Sequence, residues 1–230
     1  MNTDYFFKLD GPLDSVPTER QMRIANLTGF QDLVRNFGAD PRAILERHDI
    51  DPQAIRDPDH YVDCKSVVDV FEYCSTLLNH PLFGLQLAQV QEPDVYGCES
   101  VVSFIDYLPV VHSPVSVMEL VEGTETAELR WYVRADLGSN NQANYQAAML
   151  NLKLLRLIGG KTFRPSYVNL AVDARQRDIF EIENKLGCRF HKTAADNAIA
   201  FPVTLLDQPV ASSSRLLFTL LGGYLDRVKS

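Results

Sequence analysis

Residues 115–134 read VSVMELVEGTETAELRWYVR, and the alternation within them decides the fold class. Apolar and polar side chains alternate on both sides of Gly123-Thr124, the pattern of two half-buried strands joined by a tight turn. Strands are expected at Val115–Glu122 and Glu125–Arg134, with Gly123 in the first central position of a type II′ turn. Counting outward sets Leu120 opposite Ala127, Met118 opposite Leu129 and Ser116 opposite Trp131, a largely apolar face. Val117, Glu119, Glu128, Arg130, Tyr132 and Arg134 share the other face. In that register Glu119 meets Glu128, which is unfavourable unless Arg130 or a ligand cation lies nearby.

Upstream of this hairpin the pattern is helical. Residues 1–22, with Pro12 and Pro17, read as an extended arm. Ile24, Leu27, Phe30, Val34 and Phe37 recur at helical spacing and predict one helix stopped by Gly38. Asp40-Pro41 supplies an N-cap and a first-turn proline for a short helix. A turn-rich stretch, Asp49 to Asp63, follows. Val67, Val68, Val70, Phe71, Cys74, Leu77 and Leu78 then form a wide apolar stripe, and Pro81 opens a short helix holding Phe83, Leu85 and Leu87.

Downstream, Asn140 or Asn141 caps a long helix to Ile158. Its buried side is expected at Ala143, Ala147, Leu150, Leu154, Leu157 and Ile158, with Gly159-Gly160 as the stop. A strand at Tyr167–Val172, a helix from Ala174 to Leu186, short strands at Arg189-Phe190 and Ala198–Phe201, and a final helix from Ser212 complete the chain. The expected class is α+β: a helical N-terminal half packed on a small, mostly antiparallel sheet.

Composition narrows the function. The 230 residues are 46% hydrophobic and 23% charged, ordinary for a folded globule. Asp plus Glu outnumber Lys plus Arg by 30 to 22, for a net charge of -8, and no basic run exceeds two residues. DNA binders neutralise phosphates with clustered Lys and Arg, so these residues are a poor DNA-contacting surface. The four cysteines, Cys64, Cys74, Cys98 and Cys188, have neither disulfide-scaffold nor zinc spacing. The N-terminus has no signal-peptide character, and no apolar run reaches the ~18 residues that span a bilayer. A cytoplasmic location with reduced thiols is expected.

Enzymatic motifs fail on their details. Gly159-Gly160-Lys161-Thr162 resembles the end of a phosphate loop, but Leu155 stands where the first Gly belongs, and the stretch ends a helix. Asp49, Asp51, Asp57, Asp59 and Asp63 suggest a calcium loop. Counted from Asp51, however, its Gly and Glu positions hold Arg56 and Val62. The five histidines form no zinc-ligand pair, and no nucleophile elbow is present. The expectation is no catalysis, no cofactor and no metal, with a site assembled from His112, Glu119 and Glu128 as the enzymatic alternative.

Three stretches together resemble the N-terminal domain of one branch of AraC-type bacterial transcription regulators. They are Phe37-Gly38-Ala39-Asp40-Pro41 with Asp57-Pro58-Asp59; His80-Pro81-Leu82-Phe83-Gly84-Leu85-Gln86-Leu87; and Leu186-Gly187-Cys188-Arg189-Phe190, followed by Asn197–Phe201 and Leu206-Asp207-Gln208-Pro209. Each is turn and packing chemistry, and their order and spacing carry the likeness. Two departures stand out. Family members continue into two helix-turn-helix units, whereas this chain stops at Ser230, and Tyr96 to Phe104 is shorter than the family pattern.

The resemblance implies an effector-binding domain over 23–211 and, over 212–230, a helix leading toward an absent helix-turn-helix DNA-binding domain. It implies a small-molecule effector, a carboxylate or an apolar metabolite, whose differential affinity for two states controls DNA binding. The candidate lining is Tyr107, His112, Trp131, Tyr132, Arg134 and Tyr145, with Arg134 placed to fork onto a carboxylate. The hairpin puts Trp131 and Tyr132 on opposite faces, so all six cannot line one pocket. By chemistry alone Trp131 reads first as a core residue, Arg134 as a solvated charge and His112 as a satisfied partner near Pro114. Leu216, Leu217, Leu220, Leu221, Tyr224, Leu225 and Val228 form a stripe on the final helix, for a second subunit or for its own domain. A homodimer is the expectation, and a stand-alone small-molecule binder is the other alternative.

Overall fold

The computed structural model describes residues 18–57, 60–91, 105, 113–160, 163–193 and 196–207. Six α-helices and seven strands lie in them: β1 Gln21–Arg23, α1 Phe30–Asn36, α2 Pro41–Arg47, β2 Tyr61–Asp63, α3 Cys64–Leu77, α4 Phe83–Val90, β3 Ser116–Glu122, β4 Thr126–Val133, α5 Asn141–Gly159, β5 Tyr167–Leu170, α6 Ile179–Leu186, β6 Arg189–Lys192 and β7 Asn197–Pro202. The class is α+β. Strands β1 and β2 form a small antiparallel ribbon, while the main sheet runs β3-β4-β7-β5-β6 with only the β5–β6 pair parallel.

Helices α1 to α4 enclose one apolar core built on Phe30, Phe71 and Phe83, whose rings meet at 6.1 and 6.3 Å between centroids. A second core lies under the sheet, where Met118, Leu129, Trp131, Val168, Ile199 and Phe201 meet α5. Helix α4 serves both: Phe83 and Leu87 enter the helical core, Leu85 and Ala88 the sheet core. The family-like Phe83-Gly84-Leu85 triplet therefore has a packing cause. A Cβ on Gly84 would sit 1.9 Å from the backbone oxygen of Gln142, so only glycine lets α4 and α5 approach this closely.

Several expectations need correction. The single helix from Ile24 to Phe37 is broken into a 3₁₀ turn, Ile24–Leu27, and α1. Gly29 turns left-handed at φ 78°, and the Asn26 and Thr28 carbonyls accept side-chain bonds from Gln91 instead of continuing a helix. The turn-rich stretch contains a strand, β2, whose partner β1 reads as arm from sequence alone. The helix expected over Ala174–Leu186 opens as a 3₁₀ turn at Gln176–Asp178 before α6.

The hairpin closes one residue later than a Gly123-centred turn allows, which shifts each cross-strand pairing by two. Gly123 donates to the Thr126 carbonyl at 2.8 Å and is not among the glycines with positive φ, as a type II′ turn requires. Met118 consequently faces Trp131, and Glu119 faces Arg130 rather than Glu128. A slip of two preserves which face each side chain occupies, so the inner and outer sets are unchanged.

The final-helix stripe from Leu216 to Val228, the candidates Tyr107 and His112, and the short stretch from Tyr96 to Phe104 lie outside the described residues.

Candidate functional site

Helix α5 separates the two cores, and its environment departs most from expectation. Of the positions expected to face inward, Leu154 is buried, Ala143, Ala147 and Leu150 are half-buried and packed against the cores, and Leu157 is exposed. The fully enclosed positions include Gln142, Asn144, Gln146 and Asn151, so the helix is buried on nearly all sides and carries amides inward. Buried amides are stable only when bonded, and most of these are.

Toward the helices, the Gln146 Nε2 group donates to the Asn26 carbonyl at 2.8 Å and to Gln91 Oε1 at 3.0 Å. Gln91 Nε2 reaches the Asn26 and Thr28 carbonyls at 2.9 and 3.0 Å. Gln142 accepts from the Gly84 amide at 3.0 Å and donates to the Pro81 carbonyl at 2.9 Å. Toward the sheet, Asn144 and Asn197 bond each other at 3.3 Å. Asn197 also donates to the Trp131 carbonyl, and its Oδ1 accepts from Ala171.

Asn140, the residue preceding α5, makes no side-chain cap. Glu72 from α3 does that work, its carboxylate accepting from the Gln142 backbone amide at 2.7 Å. A carboxylate suits the positive end of a helix. Burial nevertheless pushes the Glu72 carboxyl above the usual range, with the bonds from the Gln142 and Asn141 amides pulling the other way.

The sequence candidates divide between two sides of β4. Trp131 is 6% exposed and Tyr145 3%, and both belong to the sheet core. The buried indole Nε1 of Trp131 has no hydrogen-bond partner among the described residues, a donor left unsatisfied at a cost of about 1–3 kcal/mol. Burial raises the Tyr145 phenol, with Asp178, Asp173 and Glu72 adding to the effect. Tyr132 and Arg134 are exposed and project from the opposite side of the strand. The structure therefore brings Trp131 and Tyr145 into one environment and separates Tyr132 and Arg134 from it.

That opposite side is the open face of the sheet. One row across it runs Glu119, Arg130, Ala198, Asn169 and His191, and the next runs Val121, Glu128, Ala200, Tyr167 and Arg189. Glu128 is held by Arg130 at 2.6 Å and by the Tyr167 hydroxyl at 2.5 Å. The Tyr167 bond, more than the Arg130 pair, keeps the Glu128 carboxyl below its ordinary value despite partial burial. Tyr132 donates to Glu119 at 3.1 Å, and His191 bonds Asn169 at 3.1 Å.

One hollow, lined by Arg20, Asp63, Cys64, Lys65, Val115, Ala135 and Leu137, has about 10 Å³ of room, the scale of a single water. No cluster of three or more metal-ligating side chains occurs among the described residues. Burial pushes the Cys74 thiol up to about 12 and the Cys188 thiol to about 11, so both stay protonated and unreactive at neutral pH. None of the described helices is long and apolar enough to cross a membrane.

The inward amides were missed because Gln and Asn in a helix read as solvated. The available signal was the absence of charge: no Lys, Arg, Asp or Glu occurs from Asn140 to Leu152. Solvent-facing helix surfaces rarely lack charge over three turns.

Residues 38–104 match the family model of the arabinose-binding domain of AraC transcription regulators, N-terminal. Two curated relatives are 29% identical over 193 residues: the HTH-type transcriptional regulator VirS of Mycobacterium tuberculosis strains CDC 1551 / Oshkosh and ATCC 25618 / H37Rv. The match covers 75% of this chain and 55% of each relative, so the chain spans about half the length of the curated relatives it matches. The crystal structure of transcriptional regulator CdpR from Pseudomonas aeruginosa shares the fold at a TM-score of 0.55 and 14% identity, over 86% of this chain and 64% of that one. These findings agree with the likeness carried by Gly38–Pro41 and His80–Leu87, both of which fall inside the family match. The chain is similar to AraC-type transcription regulators in their N-terminal arabinose-binding domain.

Proposed function

We propose that this chain is the effector-sensing and dimerising portion of an AraC-type transcription regulator. It binds a small metabolite in the bacterial cytoplasm and passes that state to a helix-turn-helix DNA reader. The observation that carries the reading is the family match over residues 38–104, joined to relatives described as HTH-type regulators. The proposed organisation is an arm at 1–22, the sensing domain at 23–211 and a linking helix at 212–230.

Trp131 and Tyr145 are the proposed effector contacts on the core side of β4, and Tyr107 and His112 are proposed as further contacts. The Trp131 indole N–H, without a partner among the described residues, supports this, since an oxygen of a carboxylate or carbonyl would satisfy it. Tyr132 and Arg134 are proposed as a separate set on the open face, where Arg134 meets an anionic group.

A thermal-shift screen of amino acids, fatty acids and other small carboxylates tests the reading. Binding to the native state alone raises the melting temperature by mass action, about 2.7 kcal/mol at a hundredfold excess over Kd. A reproducible, saturable rise from one chemical class is expected; no rise from any class argues against a sensor. The proposed dimer helix is tested by light scattering after size exclusion, where Leu220→Asp and Leu221→Asp should yield monomers from a dimeric wild type.

A further inference from the structure

Antiparallel sheets commonly bury one face and leave the other to solvent. Here the solvent side has an uneven charge layout. Glu119 on edge strand β3 accepts only the Tyr132 hydroxyl and has no cation partner among the described residues. Arg189 on the opposite edge strand, β6, is exposed and has no ion-pair or hydrogen-bond partner among them either. The acid and the base nearer the middle, Glu128 and Arg130, already neutralise each other. Between the edges the central strand presents only Ala198 and Ala200 on this side, and both are buried, so the accessible part of the face lies toward its two edges. Tyr132, 43% exposed, and Val121, 40% exposed, stand beside Glu119. Tyr and Arg with apolar neighbours are the residue types enriched where proteins meet.

An acid on one edge and a base on the other, neither with an ion partner among the described residues, make the face complementary to itself. Two copies can pack face to face about a twofold axis in either of two ways. With the axis across the strands, β3 lies over β3 and Glu119 approaches its own copy, which is repulsive. With the axis along the strands, β3 of one copy lies over β6 of the other, and each row meets itself reversed. Glu119 then lies over His191 and, allowing the ~30° rotation usual for aligned sheets, near Arg189.

We propose that the open sheet face is a contact between two copies of this chain, packed with strands aligned so that Glu119 of each pairs with Arg189 of the other. The inference rests on the proposed self-association and assigns it a surface that the final helix does not provide. The edge strands are only ~19 Å apart at the usual spacing, which puts this contact at the small end of specific interfaces. The dimer should therefore depend on concentration.

Sedimentation equilibrium of the full chain tests this, with melting curves confirming that each variant folds. Glu119→Arg and Arg189→Glu each place like charges across the contact and should weaken the dimer by roughly tenfold or more. Combining them exchanges the two edges and should return the dissociation constant to within about threefold of wild type. If neither single variant weakens the dimer while Leu220→Asp dissociates it, the sheet contact is wrong and the helix reading survives. Single variants that weaken it without rescue in the double refute the pairing. A wild type that stays monomeric removes both.

Discussion

In the helical layer Phe30, Phe71 and Phe83 pack ring against ring with no polar atom among them, whereas along α5 the buried groups are amides that bond across the seam. The two regions are equally enclosed but are held differently. Apolar packing tolerates small shifts in direction, while a bonded amide fixes the register of the helix that carries it. Helix α5 is thus keyed to α4 through Gln142, to Asn26 and Gln91 through Gln146, and to the sheet through Asn144. A change on either side of it must move it as a unit or break those bonds.

Four substitutions sharpen that contrast. Phe83→Ala removes a ring from the helical core and should cost about 4 kcal/mol in denaturant unfolding, the range for a buried aromatic. A cost below about 2 kcal/mol would mean the core collapses around the gap. Gly84→Ala puts a methyl against the Gln142 backbone and should cost about 3 kcal/mol. A near-neutral result would show that α4 and α5 slide freely, contrary to a fixed seam. Asn197→Ala leaves the Ala171 amide without its acceptor and should cost about 2 kcal/mol. Hydrogen exchange should report faster opening at Ala171 and Asn144, and an effect confined to β7 would contradict the link to α5.

The smallest effect concerns Glu72. Its carboxyl is raised in the folded state, so the native form holds a proton more tightly than the unfolded chain. That contribution is fully present below the unfolded-state value and is lost as pH rises through the higher folded value. Glu72→Gln keeps an oxygen at the end of α5 and should change stability at pH 7 by about 1 kcal/mol or less. It should also flatten the decline in melting temperature between acid and neutral pH. A variant with the same pH profile as wild type would show that Glu72 is not the group responsible.

Much of the frame was readable from residues alone. Asp40-Pro41 announced α2, and the Asp40 side chain does accept from Arg42. The alternation in 115–134 assigned every side chain of the hairpin to its correct face, because a shift of two conserves parity. What alternation could not give was the register, which follows from Gly123 and from avoiding Glu119 against Glu128. Gly29 disguised a break as one helix, since apolar spacing ran through it unbroken. Trp131 was legible as an enclosed aromatic, whereas the burial of Tyr145 was not, since it fell off the apolar stripe expected for its helix. The amides around them were not legible either, because their partners lie 26 to 120 positions away in the chain. Such pairings leave no local pattern.

Trp131 is the protein's only tryptophan and is buried on the core side of β4, so its fluorescence reports directly on the proposed effector site. The most direct measurement is an equilibrium titration of that emission with representative amino acids, fatty acids and other small carboxylates. A saturable change with one class, at one equivalent per chain and diminished by Tyr145→Phe, is the predicted result. Emission that stays constant across every class, from protein shown to be folded, would contradict a sensing role.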